Sequence, residues 1–353
     1  MKKILALVLA LALVISCASA LAEKVGVSMP TKDLQRWNQD GANMEEQLKA
    51  AGFEVELQYA SNDVPTQLNQ VETMIDDGCA VIVIAAIEGS SLGAALDKAA
   101  EKGVKVIAYD RLLMDSDAVD YYATFDNYMV GTVQGTYVKE QLDLDNAAGP
   151  FYMEITAGDP GDNNARYFYQ GAIDVLKPYM DAGKIVVRSG QTEFDQVATP
   201  TWKTDVAQKR ADDILTGYYA NGEQLDVWLC SNDSTALGVT NALDNYTGEG
   251  WPIITGQDCD IANTKNMIAG KQSMSVFKDT RTLAARVVTM IKQILAGEEV
   301  EVNDTETYNN NVKVVPSFLC APVFASAENY KELLIDSGYY LETEDGHVKA
   351  LGD

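Results

Sequence analysis

Apolar residues fall in short unbroken runs along this chain, and stretches of helical periodicity separate them. "KVGVSMP", "FEVELQYA", "AVIVIAAI" and "VKVIAYD" read as strands. "AVIVIAAI" has no polar alternation, as a strand buried on both faces of a parallel sheet requires. Helical patterns lie between them, near residues 40–51 and 65–77, and over "GSSLGAALDKAAEKG". In the last, Ser90 or Ser91 is placed to cap the helix and Gly103 to stop it. The cycle restarts after "YYATFD". "PFYMEITAG", "KIVVRSG", "LDVWLCSND" and "WPIITGQD" are strands, with helices expected over 163–182, over 201–219 and from Ser234. Strictly alternating units predict an α/β fold of doubly wound parallel sheets with right-handed crossovers. "VIVIAAIEGSS" and "VWLCSNDST" echo each other as strand, polar turn and capped helix, so two similar lobes are expected.

The start of the chain does not follow this pattern. Lys2 and Lys3 precede a twelve-residue apolar run from Ile4 to Ile15, and "ASALAEK" offers small-residue cleavage sites. Residues 1–22 therefore read as a secretory signal peptide, too short to span a membrane as a helix. "VISC" also resembles a lipobox, which would lipidate Cys17; an ordinary signal is the preferred reading. The chain is expected to be exported to the periplasm.

Charge narrows the partners. The formal net charge is −25, and loss of Lys2 and Lys3 takes it to about −27. That argues against nucleic acid and anionic membranes. Four further cysteines, Cys79, Cys230, Cys259 and Cys320, have no metal-ligand spacing, and the single histidine is His347. Neither a metal nor a cofactor is expected. A disulfide between Cys230 and Cys259 is left open.

In open α/β sheets, ligands bind outside the carboxyl ends of the strands. The polar residues at those ends are Lys32, Arg36 and Trp37; Asp110 and Arg111; Asp162, Asn163 and Asn164; Trp202; Asn232 and Asp233; Gln257 and Asp258; and Lys278. Carboxylates, amides, cations and two tryptophans suit an uncharged polyhydroxylated ligand. Each hydroxyl donates and accepts, and the apolar C–H face of a pyranose can lie on an indole. Taken singly, each residue has a duller reading: "DR" as a surface ion pair, "SND" as a helix cap, a tryptophan as core. Their joint placement carries the argument.

At these residues the chain resembles the periplasmic monosaccharide-binding proteins of ABC importers, the type I pentose/hexose class. It is nearest the xylose-binding and ChvE-type multiple-sugar-binding members. The resemblance runs from "MPTKDLQRW" through "YATFDN", "DNNA", "TGQD", "FKDTR" and "EVNDTETYNNNVKVVPS" to "SGYY". It implies sugar contacts at Arg36, Trp37, Asp110, Arg111, Asn164, Trp202, Asn232, Asp258 and Lys278, with Trp37 and Trp202 sandwiching the ring. "SND" at 231–233 follows the xylose binder, while the rest follows the ChvE type, so xylose, glucose and galactose all stay open. The resemblance also implies three hinge crossings, near 125–128, 278–280 and 314–317. Lobe one would hold 24–127 and 279–314, and lobe two 128–278 and 315–353. The partners it implies are a monosaccharide, a membrane permease and, where the protein also signals, a chemoreceptor or sensor kinase; the protein would be a monomer.

Rival readings are weaker. A glycosidase would need a defined carboxylate pair, and with 52 acidic residues some pair always looks plausible. There is no nucleophile elbow or phosphate loop. A LacI-type regulator, which shares this fold, would begin with a helix-turn-helix. A sensor that signals without transport is the remaining alternative.

Overall fold

The computed structural model describes residues 22–344, 346 and 348–350. Residues 1–21 of the expected signal peptide, Cys17 among them, and His347 lie outside the described residues. The strands are β1 (Lys24–Met29), β2 (Glu54–Tyr59), β3 (Val81–Ile84), β4 (Lys105–Tyr109), β5 (Tyr121–Phe125), β6 (Phe151–Thr156), β7 (Ile185–Val186), β8 (Val227–Cys230), β9 (Ile253–Ile254), β10 (Ser275–Phe277), β11 (Ser317–Cys320), β12 (Val323–Ala325), β13 (Leu341–Glu342) and β14 (Val348–Lys349).

Two parallel sheets organise the chain. The first has the order β11-β5-β4-β3-β1-β2 and the second β7-β6-β8-β9. All neighbours in both pair in parallel. Helices cover both faces of the first sheet: one apolar cluster joins β1, β3 and β4 to helices Gln35–Ala50 and Thr280–Ala296, and another joins the opposite face to Val64–Asp76 and Gly93–Lys102. Every residue of β3 is buried. That accounts for its unbroken apolar run, since neither face offers water to a polar side chain. The doubly wound parallel α/β expectation holds.

Local signals mark several helix ends. Asp63, Asp126 and Asp162 each accept a hydrogen bond from a first-turn backbone N–H of the following helix. Gly103 ends its helix at φ 72°, in the left-handed region where a Cβ costs most. The serine cap expected for that helix is not made. The helix starts at Gly93 behind Leu92, and Ser91 Oγ instead donates to the carbonyl of Glu88 at 2.8 Å. Trp202 does not begin a helix either. It lies in a 3-10 turn, Pro200–Trp202, ahead of helix Thr204–Tyr218.

One lobe boundary needs correction. Residues 315–353 were expected in lobe two, but β11 runs parallel to β5 in the first sheet, with Ser317 beside Tyr122 and Cys320 beside Phe125. The chain leaves that sheet between Cys320 and Val323, and β12 then pairs antiparallel with β10. A parallel bridge from Gln257 to Val276 joins β10 to the edge of the second sheet.

Helices Asn127–Gln141 and Asn163–Asp181 pack with their backbones almost touching. A Cβ on Gly131 would sit 2.0 Å from the Phe168 carbonyl oxygen, and one on Gly171 would sit 2.2 Å from that of Tyr128. Only glycine allows this approach.

Candidate functional site

The carboxyl ends of both sheets face one pocket, placed where open α/β sheets bind their ligands. Eight of the nine candidate residues line it: Arg36, Trp37, Asp110, Arg111, Trp202, Asn232, Asp258 and Lys278. They arrive from separate elements. Arg36 and Trp37 open the helix after β1, Asp110 and Arg111 follow β4, Asn232 follows β8, and Lys278 follows β10.

Charge in the pocket is closely paired. Arg36 Nε meets Asp40 at 2.9 Å, its Nη2 meets Asp110 at 2.5 Å, and its Nη1 meets Asp258 at 3.2 Å. Lys278 Nζ lies 3.0 Å from Asp258 and 3.8 Å from Asp110. Arg36 and Asp110 come from the first-sheet half and Asp258 from the second, so this network spans the cleft. Arg111 donates from Nη1 to the carbonyls of Ala86 and Ile87 and lies 3.1 Å from Asp162. Asp40 is fixed further by the Tyr109 hydroxyl.

Burial and pairing set the protonation of these acids. Burial pushes the Asp110 carboxyl up, but Arg36, Lys278 and Arg111 together more than offset it and leave its pKa below the ordinary range. Burial prevails at Asp40 and Asp162, whose pKa values are raised despite Arg36 and Arg111. Asp260 is pushed up to about 7 by burial and then by Asp258. Its Oδ1 has no hydrogen-bond partner. Asp233, behind it, is raised well above the carboxylate range by burial and by Asp260. It is held by Gln272 and Ser275 and by the Asp260 amide.

The two indoles sit in the walls. Trp37 and Trp202 are each 4% exposed. The Arg111 and Arg36 guanidiniums lie 4.9 and 5.3 Å from the Trp37 ring. Trp202 donates from Nε1 to Asp162 at 3.2 Å and packs edge-on to Phe168. Gly158 makes room for it, since a Cβ there would meet Trp202 Cη2 at 1.8 Å. Three lining residues have left-handed backbones: Asp110 at φ 58°, Trp202 at 57° and Asp258 at 99°. Non-glycine residues held there store strain and cluster at ligand sites.

Asn164 is the exception among the candidates. It does not line the pocket. It donates to the Asp110 carbonyl at 2.5 Å and accepts from Tyr122 and Asn127, each at 3.0 Å. It therefore supports Asp110 from behind. Asn232 has two roles. Its Oδ1 caps the next helix through the Thr235 amide at 3.0 Å while the residue also forms pocket wall. Asp162 does the same, capping with Oδ1 and facing Trp202 with Oδ2. Asp162 and Gln257 stood among the strand-end residues but outside the nine. Leu34, Phe168, Ser234 and Asp260 were missed altogether. Lys32 is exposed, its ammonium 4.7 Å from the Tyr59 ring. Cys230 and Cys259 are buried and unpaired.

Ion-paired cations beside polar atoms without hydrogen-bond partners, Arg111 Nε, Gln257 Oε1 and Asp260 Oδ1, suit this site to a neutral ligand rich in hydroxyls, which both donate and accept. The periplasmic binding protein domain matches residues 25–299. The chain is 47% identical over 320 residues, covering 90% of each, to the multiple sugar-binding periplasmic receptor ChvE of Rhizobium radiobacter. It is 35% identical to the D-xylose-binding periplasmic protein of Escherichia coli strain K12, covering 93% of this chain and 94% of that protein. Among solved structures, an ABC transporter solute-binding protein from Clostridium phytofermentans with bound β-D-glucose superposes with a TM-score of 0.89 at 67% identity. The match covers 92% of this chain and 99% of that one. The chain belongs to the periplasmic binding protein family.

Proposed function

We propose that this chain is the extracytoplasmic sugar-binding subunit of an ABC importer, and that it takes an aldose such as glucose, xylose or galactose into the pocket between its two halves. The observation that carries the reading is the convergence of eight strand-end residues on one cross-cleft pocket. The 67% identical relative is an ABC transporter solute-binding protein with bound β-D-glucose, and the curated relatives bind multiple sugars or D-xylose. These relatives are binding proteins rather than enzymes, and this chain is read in the same way.

The pocket residues have distinct parts in this mechanism. Asp110 and Asp258 accept from sugar hydroxyls, while Arg36, Arg111, Lys278 and Asn232 donate to sugar oxygens, all as charge-assisted or amide hydrogen bonds. Trp37 and Trp202 supply rigid apolar area against the ring's C–H faces. Sugar binds one half and the halves close on it by hinge motion at the crossings near 125–128, 278–280 and 320–323. Water leaves on closure, which strengthens each charged contact. The ligand shifts the population only by preferring the closed state. The monomeric, exported protein then presents that state to its membrane permease. Calorimetric titration of the purified protein with glucose, xylose and galactose tests this: one-to-one uptake of an aldose supports it, and silence across the three rejects it.

A further inference from the structure

Helix Gln35–Ala50 carries two polar stripes. Arg36, which lines the pocket, and Asp40, which holds its guanidinium at 2.9 Å, share one. Gln35, Gln39 and Asn43, spaced four apart, share a neighbouring stripe. This second stripe meets a pair of tyrosines near the end of the chain, Tyr339 and Tyr340, which belong to an apolar cluster with Cys259, Met267 and Phe277 of the second half. Both tyrosines are buried.

The contacts form a continuous hydrogen-bonded chain. The Tyr340 hydroxyl accepts from Gln35 Nε2 at 2.7 Å and from Gln39 Nε2 at 3.0 Å, and donates to the Cys259 carbonyl at 2.9 Å. Gln35 Oε1 accepts from the Ile261 amide at 3.1 Å. Tyr339 donates to Gln39 Oε1 at 3.2 Å and meets Thr280 at 3.1 Å, and Thr280 in turn accepts from Asn43 at 2.8 Å. The donors and acceptors are consistent throughout, so the bonds polarise one another.

The position of this chain is what matters. Gln35 adjoins Arg36, and Cys259 adjoins Asp258, so Tyr340 links the immediate neighbours of the Arg36–Asp258 ion pair across the cleft. From this geometry we infer that Tyr340, acting through Gln35, is a positioning residue that holds the pocket shut and thereby sets how slowly a bound sugar escapes. Tyr340 does not line the pocket. It registers the two rims so that Arg36 and Asp258 meet only when the halves are in their closed arrangement. The inference rests on the sugar-binding reading above.

The test is stopped-flow glucose binding to the purified protein and to the variants Tyr340→Phe and Gln35→Ala. Tyr340→Phe keeps the ring in its apolar cluster. Gln35→Ala alters a half-buried helix residue and stands in should the first variant fold poorly. Each variant should raise the dissociation rate about fivefold, the effect of one net hydrogen bond, with the association rate within twofold of the parent. A brace that only stabilised the fold would lower the melting temperature and leave the dissociation rate alone. Uptake of glucose with parental dissociation rates in both variants overturns the brace while sparing the sugar reading. No uptake by the parent protein overturns both.

Discussion

Asp258→Asn isolates the electrostatics of the cleft. The substitution keeps shape, and Asn tolerates the left-handed φ of 99° as well as Asp does, so backbone strain should not change. It removes one charge from a carboxylate 3.2 Å from Arg36 and 3.0 Å from Lys278. At an effective dielectric near 20, each contact has a gross Coulomb energy of about 5 kcal/mol. Desolvation offsets much of that. Truncating one partner of a buried pair costs about 2–5 kcal/mol net. Lys278 and Arg36 both keep Asp110, so the low end of that range applies. Glucose affinity at pH 7.5 should therefore fall about 30-fold, which is about 2 kcal/mol. Calorimetric titration reads this directly. An affinity within threefold of the parent would show that the cross-cleft pair does not hold the closed pocket, and the electrostatic reasoning would fail.

Three further outcomes are expected. Gly158→Ala places a Cβ 1.8 Å from Trp202; overpacking costs about 1–3 kcal/mol, so glucose affinity should fall about tenfold or more, and unchanged affinity would show that the Trp202 ring can move freely. Asp260, pushed up to about 7, holds its proton in the folded chain where the unfolded chain has lost it, so its contribution to stability falls as pH rises from about 4 to about 7 and is flat above. The melting-temperature difference between Asp260→Asn and the parent should widen over that window; a constant difference would mean that Asp260 is ionised throughout. Gly131→Ala, with a Cβ 2.0 Å from the Phe168 carbonyl, should cost about 1–3 kcal/mol in denaturant unfolding, and a neutral result would contradict the close helix packing.

The sequence revealed the pocket more readily than the boundary between the halves. Asp110, Arg111, Asn232 and Lys278 each follow a buried strand directly, so locating the strand located the residue. The last lobe boundary depended instead on nonlocal pairing: "SFLC" is an equally good strand beside β5 or in the other sheet, and only the fold places Ser317 against Tyr122. Asp260 was missed because the chain turns sharply at Asp258 and Cys259, with φ values of 99° and 54°. That turn brings a residue well past the strand end back to the pocket wall. Phe168 sits mid-helix with apolar spacing and reads as core, which it also is. Asn164 entered the nine through the resemblance; its side-chain direction is not legible in the sequence, and in the fold its amide turns to the Asp110 carbonyl. The amide stripe of Gln35, Gln39 and Asn43 starts ahead of the helix expected near 40–51, which in the fold begins at Gln35. Its partners, Tyr339 and Tyr340, lie about three hundred residues away, beyond any local pattern.

The most direct test of the central claim is a calorimetric titration of the purified protein with glucose, beside the variants Asp110→Ala and Trp202→Ala. The account predicts one-to-one binding by the parent and loss of that binding in both variants, with each variant still folded by circular dichroism. Binding that survives in both folded variants would contradict it, because the sugar would then occupy some place other than the pocket between the two sheets.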